Sequence, residues 1–210
     1  MKIAETFTSI QGEGHLTGKL MRFIRLAGCN VRTCPMHPIN KPAAPCDTDW
    51  SLDSIGHAER LAAEALDEVG PNGWVCITGG EPLEQPEVLA ALISELKRRG
   101  LLVNIQTSGT HWVTCPWDWL TVSPKGPLVQ TFGNELKVVY RGQPDDELAA
   151  LFDGSKFWNY QLMPLCSPGL LAGHPVRFNT AETIAAVKRM NKRRQPWELT
   201  TQAHKWWGVR

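Results

Sequence analysis

The stretch "WVCITGGEPLEQPEVLAALISELKRRGLLVNIQTSG", from Trp74 to Gly109, predicts a complete strand–helix–strand unit. Its ends, "WVCIT" and "LLVNIQTSG", are short apolar runs bounded by glycine, which is typical of buried strands. Between them Pro86 stands where a first helical residue belongs, and Gly100 follows three basic residues that suit a last helical turn. The apolar face of this helix comprises Val88, Leu89, Leu92, Ile93 and Leu96.

The same alternation runs along the rest of the chain. "LMRFIRLAG" predicts an earlier strand, and apolar residues recur at helical spacing between Ala58 and Val69. Because 210 residues are short for a closed eight-unit barrel of about 250 residues, we predict an α/β fold, an incomplete (β/α) TIM-like barrel in a single domain. Further strands are predicted at 120–123, 136–140, 157–163 and 198–202, and helices at 145–152 and 180–191.

Composition limits the partners. With 22 basic and 21 acidic residues the formal net charge is +1, so no long-range field favours nucleic acid or a membrane surface, and we expect a small-molecule ligand. The first ten residues lack the apolar core of a signal peptide, and no later segment is apolar for long enough to span a bilayer. We therefore expect a cytoplasmic protein with reduced cysteines.

Three of the six cysteines lie in the proline-rich stretch "CNVRTCPMHPINKPAAPCDTDW" at 29–50. It follows the end of a predicted strand, which is where parallel α/β sheets bind ligands. Three thiolates can hold an iron–sulfur cluster with one iron open, whereas His37 as a fourth ligand would close a structural zinc site. The loop alone leaves both open, and the zinc alternative would make the chain a binding module without redox chemistry.

Eight motifs favour the iron–sulfur cluster, although the zinc site stays an alternative: "QGEG", "RLAGC", "CDTD", "ITGGEPL", "QTSGT", "VSPK", "NELKVV" and "QAHK". They occur in the same order as in the 7-carboxy-7-deazaguanine synthases, which are radical S-adenosylmethionine (SAM) enzymes, and the chain resembles that family from Gln11 to Lys205. The resemblance implies a radical SAM domain over 1–210 with an expanded cluster-binding loop at 29–46. It also implies the contraction of 6-carboxy-5,6,7,8-tetrahydropterin to 7-carboxy-7-deazaguanine with loss of ammonia, a lyase reaction of queuosine-type 7-deazapurine biosynthesis.

The resemblance further implies a [4Fe–4S] cluster on Cys29, Cys34 and Cys46, bound SAM, and Mg²⁺ on Thr48. The family spacing resembles C-x3-C-x2-C or an expanded form of it, whereas this chain has C-x4-C-x11-C. By resemblance Cys29 matches the first family cysteine and Cys46 the last, which leaves Cys34 as the middle ligand. The residues implied to bind SAM are Pro45, Asp47, Gly79, Gly80, Glu81, Ser123, Pro124, Lys125 and Gln161. Those implied to bind the pterin are Ile10, Gln11, Gly12, Glu13, Arg25, Thr78, His204 and Arg210, and no catalytic residue is assigned.

Arg25 lies in an apolar strand, where a charge needs an anionic partner. That partner is either a structural carboxylate or, as we favour from the resemblance, the substrate carboxylate. Cys76 also lies in an apolar strand and is expected to pack in the core.

The resemblance further implies a homodimer and an electron donor such as flavodoxin or ferredoxin. An alternative within the same class is a radical SAM enzyme of altered substrate, suggested by Cys34 and by the "QLMP" variant after Tyr160.

Overall fold

The fold is given by a computed structural model that describes residues 1–40, 46, 49, 54–166 and 178–209, apart from the side chain of Pro38. It contains one nine-stranded sheet in the order β3-β1-β2-β4-β5-β6-β7-β8-β9. The strands are β1 Lys2–Ile10, β2 Leu20–Leu26, β3 Ser54–Ile55, β4 Trp74–Gly79, β5 Leu102–Thr107, β6 Trp119–Val122, β7 Phe132–Tyr140, β8 Lys156–Pro164 and β9 Trp197–Leu199. The helices are α1 Ala58–Val69, α2 Pro86–Arg98, α3 Asp145–Asp153, α4 Thr180–Lys192 and α5 Ala203–Trp207.

Seven strands, from β2 to β9 along the sheet, are parallel to one another. β1 is antiparallel to β2 and carries the short β3 on its outer side. The predicted α/β class and single parallel sheet are thus confirmed. The sheet does not close within the described ranges, because β3 and β9 form its two edges.

The two faces of the sheet have different characters, because successive strand residues point to opposite sides. On one face, residues such as Ile24, Ile77 and Ile105 form the main core with Leu61 of α1 and Leu92 of α2. The opposite face carries buried polar side chains instead. They are Asn104, Thr121, Glu135, Lys137 and Gln161.

The predicted β4–α2–β5 unit is present, and α2 begins at Pro86 and buries Leu89, Leu92, Ile93 and Leu96. Five elements differ from the sequence prediction. β1, β3 and α5 were not predicted, β7 begins four residues earlier, at Phe132 rather than Leu136, and β9 covers Trp197–Leu199 rather than 198–202. None of the helices in the described part of the chain combines the length and apolarity needed to cross a membrane.

Candidate active site

The turn after β4 lies against the chain that enters the cysteine loop. The Gly80 N–H donates to the Leu26 carbonyl at 2.9 Å, and the Glu81 N–H donates to the Gly28 carbonyl at 3.1 Å. A Cβ at Gly80 would overlap the Gly28 carbonyl oxygen, and Gly79 has a φ of 118° that disfavours any other residue. Both glycines are therefore needed for this close approach beside Cys29.

Glu81 fastens the same turn to the end of β5. One carboxylate oxygen accepts from the Leu83 N–H at 3.1 Å and the Thr107 hydroxyl at 2.7 Å. The other accepts from the Ser108 N–H at 2.8 Å and the Ser108 hydroxyl. Because four protein donors surround the carboxylate of Glu81, its side chain holds the turn in place, and the predicted contact with SAM would have to come from the neighbouring glycines.

The cysteine loop is organised by consecutive turns. The N–H of Cys34 donates to the Val31 carbonyl and that of His37 to the Cys34 carbonyl, while the Asn40 side chain donates to the Cys34 carbonyl at 2.8 Å. Pro38–Asn40 forms one 3-10 turn. These hydrogen bonds thus hold the described segment from Val31 to Asn40 in consecutive turns.

All six cysteines, each within the described part of the chain, are reduced thiols. The pKa of Cys29 is raised to about 11, chiefly by burial and also by the nearby Glu84, Glu81 and Cys34, while a backbone hydrogen bond from Val31 lowers it. Although Cys46 is also described, the described residues contain no group of three or more His, Cys, Asp or Glu side chains placed to hold a metal ion. Cys29, Cys34 and Cys46 are therefore not assembled as a ligand set in this structure.

The "VSPK" segment after β6 reaches the same region. A Cβ at Gly126 would lie 3.2 Å from the Thr33 Cβ, which places Lys125 beside the residue that precedes Cys34. Burial lowers the pKa of Lys125, and the Cys34 thiol opposes this shift. Lys125 takes part in none of the ion pairs between described residues. Its ammonium is accordingly available to a carboxylate ligand.

Gln161 of β8 offers a second unsatisfied group on the polar face of the sheet. Its Oε1 atom is buried and has no hydrogen-bond partner among the described residues. A buried acceptor without a donor is costly, and a bound ligand is one way to satisfy it.

Ser123 directly follows β6, and its N–H donates to the Thr107 carbonyl. Its neighbour Pro124 leads into Lys125.

A cavity of about 360 Å³ opens on the polar face of the sheet, near the turn after β4. It brings together seven of the predicted pterin-binding residues, from β1, β2, β4, the loop after β1 and α5. They are Ile10, Gln11, Gly12, Glu13, Arg25, Thr78 and His204. The sequence analysis did not identify the remaining lining residues, which are Glu5, Phe7, Phe23, Gln106, Lys205 and Val209.

The wall of this cavity joins the two ends of the chain. The Ala203 N–H donates to the Gly12 carbonyl at 2.8 Å, and the Gly14 N–H donates to the Thr200 hydroxyl at 3.0 Å. A Cβ at Gly12 would lie 2.5 Å from the Cβ of His204, so only glycine permits this packing. His204 is thereby held against the loop that follows β1.

Glu13 is the best-connected charged group of the wall. Its Oε2 atom accepts from the Lys137 ammonium at 2.6 Å, and its Oε1 atom accepts from the Gln202 amide at 2.8 Å. Burial would raise the pKa of Glu13, but the Lys137 charge, the two hydrogen bonds and His204 lower it to about 2. The sequence analysis missed Lys137 and Gln202, although Lys137 is a charge within the apolar strand "NELKVV".

Arg25 has a protein partner in the structure. Its Nη1 atom donates to Glu5 Oε1 at 2.8 Å, and its guanidinium lies 5.2 Å from the centre of the Phe7 ring. The structural carboxylate considered from the sequence is therefore present. Arg25 also lines the cavity, so the contact with Glu5 leaves it within reach of a bound anion.

Cys76 is fully buried, and burial raises its pKa to about 12, which agrees with core packing.

Four of the predicted site residues lie outside the described residues: Pro45, Asp47, Thr48 and Arg210.

Two tryptophans of the C-terminal segment are exposed. Trp206 contacts Phe178 edge to face with ring centres 5.9 Å apart, and Trp207 is half exposed.

No sequence-family profile matches the chain. A 7-carboxy-7-deazaguanine synthase of Bradyrhizobium diazoefficiens is 34% identical over 231 residues, covering 99% of this chain and 98% of the relative. One from Bacteroides thetaiotaomicron is 36% identical over 206 residues, covering 97% and 96%.

The chain belongs to the 7-carboxy-7-deazaguanine synthase family.

The crystal structure of QueE from Escherichia coli supports this assignment, with a TM-score of 0.68 and 27% identity over 97% of this chain and 94% of that one. The family predicted from the sequence is confirmed, and with it an enzyme. Membership of an enzyme family argues against the alternative of a non-catalytic zinc-stabilised binding module. In the structure the Nδ1 atom of His37 accepts a hydrogen bond from the Ile39 N–H at 3.2 Å.

The residues present fit a cluster and SAM in their chemistry. Three thiols share one loop, a glycine cradle lies beside the first of them, and Gln161 and Lys125 each offer a group without a described partner. Cysteine thiolates are the usual ligands of iron–sulfur clusters. Assembly would require the loop that carries Cys34 and Cys46 to draw these thiols towards Cys29.

Proposed function

We propose that this chain is a radical SAM lyase that contracts 6-carboxy-5,6,7,8-tetrahydropterin to 7-carboxy-7-deazaguanine with loss of ammonia, in queuosine-type 7-deazapurine biosynthesis. One observation carries the proposal. A cavity on the polar face of the sheet is lined by seven residues that the family resemblance implies for pterin binding. Its volume of about 360 Å³ lies within the range of small-molecule sites.

In this proposal Cys29, Cys34 and Cys46 ligate the [4Fe–4S] cluster. The bound cluster and SAM supply the radical that removes hydrogen from the substrate. SAM would lie against Gly79 and Gly80, where the backbone can approach a ligand closely. Lys125 supplies a point charge for the SAM carboxylate, and the unsatisfied oxygen of Gln161 accepts from the adenosyl group. The incomplete radical SAM barrel is part of the same proposal.

The pterin occupies the cavity in an orientation set by charge. Arg25 offers a guanidinium to the substrate carboxylate, which a planar fork can hold with two hydrogen bonds. At the other end, Gln11 and the ionised Glu13 face the amide and amino edge of the ring. His204, held against Gly12, closes the wall between them. We further propose Mg²⁺ on Thr48, a flavodoxin- or ferredoxin-type electron donor, and a homodimer.

Anaerobic reconstitution followed by assay with SAM, reductant and carboxypterin tests this function. The expected product is 7-carboxy-7-deazaguanine, identified by mass spectrometry, with SAM regenerated. Glu13→Gln is a matched control, since it alters the cavity wall and leaves the cysteine loop intact. Should the wild-type chain cleave SAM yet leave the carboxypterin unchanged, the alternative of a radical SAM enzyme with another substrate would be correct.

A further inference from the structure

A buried lysine lies behind the cavity and acts on it through one residue. Lys137 stands in the middle of β7 and is 2% exposed. Its ammonium donates to Glu13 at 2.6 Å, and Lys137 is not itself a lining residue of the cavity. A buried ammonium is costly unless it is paired, so this position needs a function or a compensating contact.

Glu13 receives one donor on each oxygen from two distant parts of the chain. Lys137 comes from β7 and Gln202 from the segment that precedes α5. Together the two donors fix the plane of the carboxylate in the cavity wall. A carboxylate offers about four acceptor positions, so about two remain for a ligand in the cavity.

We propose that Lys137 and Gln202 are positioning residues that hold Glu13 as an ionised double acceptor for a pair of adjacent N–H groups on the substrate. This inference rests on the proposed function, in which Glu13 faces the amino and ring N–H edge of the pterin. A protonated or amide side chain would present a donor to that edge, and two facing donors would repel. The ionised Glu13 carboxylate would therefore select heterocyclic ligands in which an amino group lies next to a ring N–H.

Several other titratable groups surround Glu13 and Lys137, and they come from several elements of the fold. Among the described residues, Lys137 alone forms an ion pair with Glu13. Burial raises the pKa of Glu13, so removal of Lys137 leaves that effect less opposed and moves the pKa upward. The remaining groups are Glu5 of β1, Arg25 of β2, Cys76 of β4, Lys125 of the segment after β6, Glu135 of β7, and His204 and Lys205 of α5.

The test measures carboxypterin binding by anaerobic calorimetry from about pH 8 to about pH 5 for the wild type and Lys137→Met, in the presence of SAM. The variant should bind about tenfold to a hundredfold more weakly at pH 8. Its affinity should fall further as the pH drops through the raised pKa of Glu13, because the carboxylate form is then lost. SAM affinity should be unchanged, and Lys137→Arg should restore part of the loss.

Two comparisons test whether Lys137 affects carboxypterin binding through Glu13. In the Glu13→Gln background, Lys137→Met should cause little further loss, since residues that act as a unit are not additive. Gln202→Leu removes only a neutral donor and should weaken binding about threefold, without the loss at low pH. Lys156→Met, an exposed lysine at the start of β8, serves as the matched control.

The inference is overturned if Lys137→Met binds carboxypterin like the wild type across this pH range. It is also overturned if Lys137→Met weakens the Glu13→Gln variant by the same factor as the wild type. If Lys137→Met does not fold, carboxypterin binding is measured for Gln202→Leu and Lys137→Arg instead. Wild-type carboxypterin affinity in both variants would refute the inference. A wild-type chain that binds SAM but no carboxypterin would instead refute the proposed function.

Discussion

Replacing Gly80 with alanine should displace the chain that leads into Cys29 and prevent cluster assembly. The new Cβ would lie 2.5 Å from the Gly28 carbonyl carbon, whereas ordinary contact begins at 3.4 Å. The neighbour is backbone, so no side chain can rotate away. The turn must move outward, and the hydrogen bonds from Gly80 to Leu26 and from Glu81 to Gly28 would be lost or stretched.

The size of the effect follows from these contacts. Overpacking costs about 1–3 kcal/mol, and two backbone hydrogen bonds contribute about 1 kcal/mol each, so the free energy of unfolding should fall by about 3–5 kcal/mol. Because a domain is typically stable by about 5–15 kcal/mol, most of the protein should remain folded. For a chain of this size the melting temperature should fall by about 5–15 °C.

The assay combines thermal melting with iron and sulfide analysis after anaerobic reconstitution. Gly80→Ala should melt earlier and retain little iron. The matched control is Gly100→Ala, where a Cβ meets nothing within 4 Å and only the positive φ of 75° is strained, at a cost of about 1–2 kcal/mol. If Gly80→Ala assembles a full cluster and melts no earlier than Gly100→Ala, the cradle does not have the role given to it.

Three further predictions concern single side chains. Lys125→Met should weaken SAM binding about tenfold or more in calorimetry and leave carboxypterin binding unchanged, because a charge-assisted hydrogen bond is lost; unchanged SAM affinity would argue against its proposed partner. Arg25→Ala should weaken carboxypterin binding much more than SAM binding, and an equal loss of both would contradict its role. Glu81→Gln should lower the unfolding free energy by about 2–4 kcal/mol in denaturant titration, because the amide turns a donor towards Ser108; a neutral effect would show that these hydrogen bonds are dispensable.

Much of the fold could be predicted because its signals are local. The unit from β4 to β5 has apolar runs, a helical face and turn residues that all agree. β1 was missed because only Ile3 is fully buried along "KIAETFTSI", so the segment has no continuous apolar run. The early start of β7 was missed because it contains Asn134 and Glu135, polar residues that are buried only in the context of neighbouring strands.

The site required information that no local pattern contains. The motifs predicted a set of pterin-binding residues through the family resemblance, yet Glu13 and Gln202 meet across 189 positions of sequence. Lys137 carried the same signal as Arg25, a charge within an apolar strand, and both proved to have carboxylate partners. The signal predicts that a partner exists, whereas only the sheet topology reveals that Glu13 is the partner of Lys137.

The proposed radical SAM function depends most on the three thiols of the cysteine loop. The decisive measurement is the iron and sulfide content, with the electron paramagnetic resonance spectrum of the reduced protein, for the wild type, Cys34→Ala and Cys76→Ala after anaerobic reconstitution. We predict a complete [4Fe–4S] cluster in the wild type and in Cys76→Ala, whose thiol is buried in the sheet, and no stable cluster in Cys34→Ala. A complete cluster in Cys34→Ala, or a zinc ion without sulfide in the wild type, would contradict the account.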